Sequence, residues 1–132
     1  MHQTTIHVRW GELDPYNHVN HATYLSYFEH ARVSALDAIG WGMDQLSEAG
    51  YQVVIVRADV RFRRPATAGD TLVITSELVE LGASQSQWHQ EIRRGTELIA
   101  EADMYAACTN LEGRPVRTPE VFKSALNDLR AP

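Results

Sequence analysis

The stretch Trp10–Arg32, WGELDPYNHVNHATYLSYFEHAR, joins a polar loop directly to a segment with helical periodicity. Its loop contains a carboxylate beside a proline, Asp14-Pro15, which is a natural start for a turn. Asn20 stands where a helix N-cap is expected, and apolar residues recur after it at spacings of three and four. The pattern predicts a helix that begins at His21 and stops at Gly40.

The periodicity of the chain changes near Tyr51, where helical spacing gives way to alternation of apolar and polar residues. Strands are predicted over 4–10, 51–64, 71–81, 84–93 and 96–109, and shorter helices over 41–49 and 119–129. We expect the last four strands to pair as successive antiparallel neighbours. One long helix cannot cover both faces of five strands, so either the sheet curls around it or a second copy helps to cover it. The sequence therefore predicts an α+β fold.

Length and composition limit the classes of protein that need to be considered. The chain has 132 residues, enough for a single domain with one core, and its net charge of −5 argues against a general binder of nucleic acid or membrane surfaces. The single cysteine, Cys108, excludes an internal disulfide and fits a reducing compartment, so a cytoplasmic location is expected. No apolar run approaches the roughly 20 residues that cross a bilayer, and the first residues lack a signal-peptide pattern.

A carboxylate in a loop that leads straight into a helix is a chemically useful arrangement. Asp14 can act as a nucleophile or general base, and the free N–H groups of the first helical turn can polarise a carbonyl oxygen. An Asp-Pro pair is nevertheless most often a simple turn, and Asn20 is equally well explained as a helix cap. His18 and His21 near this carboxylate would suit a metal ion, but a third ligand at suitable spacing is missing, so no metal is predicted.

Arginine makes up eleven of the twelve basic residues, and four of the eleven follow closely on one another: Arg57, Arg61, Arg63 and Arg64. Guanidinium groups bind phosphate through paired hydrogen bonds. A charged strand face is usually just solvated, so the residues alone predict either a solvated face or an anion-binding surface.

The loop-and-helix signature 14–24, DPYNHVNHATY, with FEHAR at 28–32, PATAGD at 65–70 and GRP at 113–115, resembles the hotdog-fold acyl-CoA thioesterases. The branch it is most similar to is typified by 4-hydroxybenzoyl-CoA thioesterase. The resemblance implies that a sheet wraps a long central helix and that two subunits join edge to edge, with the active site between them. It also implies that Asp14 is the catalytic carboxylate and that the backbone N–H of His21 binds the thioester carbonyl.

By this resemblance the chain is expected to hydrolyse acyl-CoA as a homodimer or homotetramer and to need no cofactor. Asn20 and the ring of His18 are candidates to orient water or the carboxylate. The basic run that some relatives carry near Gly82 is replaced here by Gly-Ala-Ser-Gln-Ser at 82–86, and Ser84 is kept as a candidate substrate contact beside the four arginines. A dehydratase or enoyl-CoA hydratase on the same fold, and an acyl-CoA-binding module without turnover, are the two alternatives.

Overall fold

The computed structural model describes all residues 1–132 and contains five strands and three α-helices. In chain order they are β1 His2–His7, α1 His21–Ala38, α2 Met43–Ala49, β2 Tyr51–Phe62, β3 Thr71–Leu81, β4 Gln85–Arg94, β5 Glu97–Asn110 and α3 Glu120–Leu126. Short 3-10 turns cover Trp10–Glu12 and Asn127–Leu129. The predicted α+β class is confirmed. None of the helices is long and apolar enough to cross a membrane.

The strands form one antiparallel sheet in the order β1-β3-β4-β5-β2. The predicted hairpins between β3 and β4 and between β4 and β5 are confirmed, but the prediction that β2 pairs with β3 is wrong. Instead β2 pairs with the longer β5. The segment after β2 leads to β3, which lies near the opposite edge of the sheet, beside β1. The alternation of apolar and polar residues identifies a strand but not the strand that it pairs with, so the sequence pattern could not exclude the wrong pairing. As a result β1 and β2 are the two free edges.

A β-bulge between Ile55 and Arg57 changes which residues of β2 face the core. The alternation of the sequence predicts that Val54 and Val56 lie on one face with the later apolar residues of the strand. The extra residue, Val56, shifts the register, so that Ile55 lies opposite Ala106 while the residues after the bulge keep the predicted face. The face that β2 shares with the buried side chains of β5 is therefore formed by Val53, Ile55, Ala58, Val60 and Phe62.

Helix α1, with 18 residues, packs mainly against β1 and β3. Phe28, Ala31 and Ala35 on its inner side are fully buried, and the two alanines allow close approach of the sheet. A fully buried glutamine of β4, Gln90, donates from Nε2 to the carbonyl of Phe28 at 3.0 Å, so a side-chain hydrogen bond also ties helix to sheet. This bond holds the middle of α1 at a defined height above β4.

The first strand ends earlier than the pattern predicts. Val8 is buried, but Trp10 lies in a 3-10 turn and is 80% exposed, so the prediction that the strand continues to residue 10 is wrong. The turn is closed by Glu12, which accepts from the backbone N–H of Arg9 at 2.8 Å and from its guanidinium at 3.1 Å. This local hydrogen bonding offers the backbone an alternative to the strand.

Candidate active site

The loop before α1 is closed by hydrogen bonds to Asp14. One carboxylate oxygen, Oδ1, accepts from the backbone N–H of Tyr16 at 2.8 Å and of His18 at 3.1 Å. The other oxygen, Oδ2, makes no hydrogen bond within the chain. The side chain is half-buried. Its orientation is thus fixed through one oxygen while the other remains available to a ligand.

A second loop, residues 63–70, holds the Asp14 loop in place. The carbonyl of Ala66 accepts from the N–H of Val19 at 2.8 Å, and the hydroxyl of Thr67 donates to the carbonyl of Asn17 at 2.8 Å. Asn17 has a positive φ of 62°, a conformation that asparagine tolerates better than most residues. The loop 65–70 was part of the predicted signature, but the role of Thr67 in positioning the first loop was not predicted.

At the N-terminus of α1 some backbone N–H groups are hydrogen-bonded within the chain, and that of His21 is free. Asn20 caps the helix, because its Oδ1 accepts from the N–H of Ala22 at 2.9 Å, and its carbonyl accepts from Thr23 at 2.9 Å. The N–H of His21 has no acceptor within the chain. The predicted cap is confirmed, and the N–H of Ala22 is engaged by it. The N–H of His21 therefore remains a free donor at the tip of the helix.

A cavity of about 300 Å³ brings the Asp14 loop, the tip of α1 and the end of β2 together. Three of the four residues predicted for catalysis line it, and Asn20 lies beside it as the cap. The lining residues are Asp14, His18, Val19, His21, Tyr24, Phe62, Arg63, Arg64 and Pro65. The site therefore combines a carboxylate, a helix N-terminus, two guanidinium groups and an aromatic wall.

The aromatic wall consists of Tyr24 and Phe62, whose rings meet edge to face with 5.3 Å between centroids. The Tyr24 hydroxyl accepts from the N–H of Ala66 at 3.3 Å, and burial raises the pKa of this phenol. Tyr24 therefore stays protonated and neutral near pH 7. Tyr24 belongs to the predicted signature, whereas Phe62 does not, and only the three-dimensional packing of α1 against the end of β2 brings the two rings together.

The four predicted arginines divide into two pairs. Arg63 and Arg64 line the cavity, where Arg63 lies 3.6 Å from Glu101 and Arg64 lies 3.7 Å from Glu97. Both guanidinium groups are exposed, and ion pairs this long hold an exposed guanidinium only weakly. Arg57 instead stacks on the ring of Tyr105, with 4.9 Å from Cζ to the centroid.

The fourth arginine, Arg61, lies 3.7 Å from Glu101 and does not line the cavity. Ser84 also lies elsewhere, in a small cavity beside Trp88 and Cys108. No group of three or more His, Cys, Asp or Glu side chains is placed to hold a metal ion. The cavity thus brings together one carboxylate, the histidines 18 and 21, one free N–H and two guanidinium groups.

Comparison with known proteins places this architecture in a family. The profile of the thioesterase-like superfamily matches residues 8–126. Long-chain acyl-CoA thioesterase FadM of Escherichia coli is 35% identical over 115 residues, which are 83% of this chain and 84% of that protein. The chloroplastic acyl-acyl carrier protein thioesterase ATL3 of Arabidopsis thaliana is 30% identical over 125 residues; the match covers 93% of this chain and 66% of the plant protein.

Solved structures agree with the sequence matches. A thioesterase of Thermus thermophilus, crystallised with coenzyme A and Zn, superposes with a TM-score of 0.84 at 29% identity, covering 98% of this chain and 95% of that one. The hotdog fold implied by the resemblance is thereby confirmed. Since the family profile spans most of the chain, and the match with FadM covers more than two thirds of both proteins, this chain belongs to the thioesterase-like superfamily.

Proposed function

We propose that the chain hydrolyses acyl-CoA thioesters to a free acid and coenzyme A. One observation carries the proposal: the Asp14 carboxylate and the tip of α1, where the N–H of His21 is free, line the same cavity. A thioester carbonyl placed between them would meet an attacking group on one side and a hydrogen-bond donor on the other. The activity of the E. coli relative on acyl-CoA supports the same substrate class.

In the proposed reaction Oδ2 of Asp14 does the chemistry. It either attacks the carbonyl carbon, forming a mixed anhydride and releasing the thiolate, or removes a proton from a water that attacks instead. In both routes the carbonyl oxygen gains negative charge and accepts from the N–H of His21. One such donor is typically worth about 2.7–4 kcal/mol of barrier. In the first route water then hydrolyses the anhydride, which releases the acid and restores the Asp14 carboxylate. In a single turnover in heavy-oxygen water, an acid without heavy oxygen identifies the anhydride route, because water that attacks Cγ of Asp14 leaves one of the original carboxylate oxygens in the acid.

We assign the phosphates of coenzyme A to Arg63 and Arg64. Both line the cavity, and the guanidinium of each is exposed and makes only a long ion pair with a glutamate of β5. A phosphate with several negative charges competes well against one such contact. Arg57 and Arg61 lie outside the cavity, so we give them no direct phosphate contact.

We further propose a homodimer that pairs the β2 edges of two copies. The strand is a free edge of 12 residues, and Ile55, Val56 and Phe62 on it are 39%, 56% and 52% exposed. Free edges with exposed apolar side chains are usually covered in native proteins. Pairing about a two-fold axis would join the two sheets into one and cover these residues. Sedimentation velocity distinguishes this dimer from a monomer or a tetramer.

The proposed activity is tested with a panel of aliphatic and aromatic acyl-CoA substrates, by following free coenzyme A with a thiol reagent. Wild type should release thiol, and Asp14→Asn should release little. Loss of enoyl absorbance from an enoyl-CoA without thiol release would favour the hydratase alternative. Tight binding of every acyl-CoA with no turnover would instead indicate a binding module.

A further inference from the structure

A second cavity, of about 320 Å³, lies between the middle of α1 and the first half of β2. Most of its lining is apolar and includes Val33, Leu36 and Ile55. Two charged residues of α1, Glu29 and Arg32, also line it. An arginine in a largely apolar cavity requires a physical explanation, because burial of an unpaired charge is unfavourable.

The guanidinium of Arg32 is held by a buried side chain of β4. Its Nη1 donates to Oε1 of Gln90 at 2.9 Å, and the amide of Gln90 is itself fixed by bonds to the carbonyl of Phe28 at 3.0 Å and the hydroxyl of Ser76 at 2.8 Å. Gln90 and Ser76 are fully buried. The orientation of Arg32 is therefore determined by a rigid polar network, and not by a flexible surface contact.

Arg32 has no carboxylate within ion-pair distance and no other acceptor in the chain. Glu29, three residues earlier, is exposed and makes no ion pair with Arg32, although its charge raises the pKa of the guanidinium. Burial lowers the pKa of Arg32, but an arginine stays protonated at neutral pH. Its remaining N–H donors are thus without a protein partner at the wall of an apolar cavity.

The position of this cavity on β2 relates it to the catalytic site of a second copy. The catalytic cavity is lined by residues at the end of β2, Phe62 to Arg64, and the Arg32 cavity by residues at its start, Val53 to Ile55. Two copies of one strand that pair about a two-fold axis run antiparallel. The end of one β2 then lies beside the start of the other, and the Arg32 cavity of each copy adjoins the catalytic cavity of its partner.

We infer that Arg32 acts across the dimer as the residue that selects the acyl group, favouring chains that carry a hydrogen-bond-accepting oxygen at their far end. The apolar lining takes the methylene chain, and the guanidinium binds the terminal hydroxyl or carboxylate. This inference rests on the proposed thioesterase function and on the proposed dimer. It explains why a cation held by a buried glutamine lies at the wall of a mostly apolar cavity.

The test uses three thioesters of equal chain length: octanoyl-CoA, omega-hydroxyoctanoyl-CoA and suberoyl-CoA. Wild type should show a higher kcat/KM for the two oxygenated substrates, and Arg32→Met should lower their advantage by about 10- to 100-fold, the usual effect of losing a hydrogen bond to a charged group. Arg32→Lys, which keeps the charge but loses the fork, should lie between. Misfolding lowers all three rates together, so the ratio reports only the selection. A preference for suberoyl-CoA alone would identify the ligand as a carboxylate.

Binding measurements separate failure of this inference from failure of the proposed function. Calorimetric titration of Asp14→Asn, with and without Arg32→Met, measures the same preference without turnover. A preference in binding that depends on Arg32, with no hydrolysis by wild type, would leave the inference standing and remove the proposed activity. An equal response to all three thioesters in wild type, or a ratio unchanged by Arg32→Met, would overturn the inference.

Action across the dimer is tested with a heterodimer in which one chain lacks the Asp14 carboxylate and the other lacks the Arg32 guanidinium. In a heterodimer of one Asp14→Asn chain and one Arg32→Met chain, one of the two sites contains both original residues only if Arg32 acts on the partner's site. Such a heterodimer should recover the wild-type preference at about half the wild-type rate, because one of two symmetric sites is intact. If a purified heterodimer shows no preference for the oxygenated thioesters, Arg32 does not act on the site of the partner chain, and the inference is overturned.

Discussion

Two substitutions of Asp14 separate its chemical role from its structural one. The carboxylate holds its loop through Oδ1, which accepts two backbone N–H groups at 2.8 and 3.1 Å, and we assign the reaction to Oδ2. Asparagine keeps an oxygen at the position of Oδ1 but replaces the reactive oxygen with an amide nitrogen. Alanine removes both. The structure therefore predicts similar losses of activity and different losses of stability.

The magnitudes follow from these contacts. Hydrogen bonds to a charged group contribute about 1.5–3 kcal/mol each, and partial exposure of the loop places this pair at the low end, so Asp14→Ala should cost about 3 kcal/mol in total. For a domain of this size that corresponds to a Tm lower by roughly 9–15 °C. Asp14→Asn should cost less than about 1 kcal/mol, since both acceptor contacts remain. Removal of a general base typically lowers kcat by about 10²–10⁴-fold, and both variants should show that loss.

The assay combines thiol release at saturating acyl-CoA with thermal unfolding followed by circular dichroism. Asp44→Asn is a matched control, because Asp44 is an exposed aspartate at the start of α2 and lies outside the cavity. Retention of kcat by Asp14→Asn within about tenfold of wild type would refute the catalytic role, since a general base contributes more than that. A Tm of Asp14→Asn as low as that of Asp14→Ala would refute the assignment of loop stabilisation to Oδ1 and of the reaction to Oδ2.

Three further predictions concern substrate binding, assembly and pH. Arg63→Ala should raise KM for acyl-CoA and change KM little for a short thioester without the nucleotide. The guanidinium of Arg57 stacks on Tyr105 outside the cavity, so Arg57→Ala should change neither KM. Equal effects of Arg63→Ala on both substrates would exclude a phosphate contact. Val56→Lys should shift the sedimentation coefficient toward that of a monomer, while Val121→Lys, at a residue of α3 that is 72% exposed, should not. Burial alone would lower the pKa of His89, but its hydrogen bond to Asp103 and the charges of Asp103 and Glu91 together raise that pKa. Wild type should therefore be more stable than His89→Gln below about pH 6.5, and this difference should disappear as the pH rises through the folded-state pKa. A pH-independent difference in Tm would contradict the last prediction.

The parts of the structure that were predicted correctly depend on neighbours in the chain. The cap at Asn20 and the stop near Gly40 are properties of a few adjacent residues, so the bounds of α1 could be predicted closely. Asp14 and His21 are only seven residues apart, and the signature around them kept them together. Arg63 and Arg64 lie more than forty residues further on, and their separation from Arg57 depends on where β2 ends relative to the cavity.

The errors arose where tertiary structure decides between equally good local patterns. Alternating strands are compatible with several partners, so the order β1-β3-β4-β5-β2 could not be read from periodicity. The bulge at Val56 could not be predicted for a similar reason, because the four consecutive apolar residues at 53–56 fit either face of a strand. Trp10 continued the alternation of the first strand, yet the hydrogen bonds of Glu12 end that strand before it.

The helix cap also determines how the site polarises a carbonyl. Without a cap, several N–H groups at the tip of α1 would share a carbonyl oxygen and leave its direction poorly defined. Asn20 removes Ala22 and Thr23 from that set, so the His21 N–H is left to determine where the oxygen lies. The two hydrogen bonds at Oδ1 of Asp14 restrict the carboxylate in the same way. A thioester needs little activation but a defined angle of attack, and one fixed donor with one fixed acid satisfies that requirement better than a larger number of mobile groups.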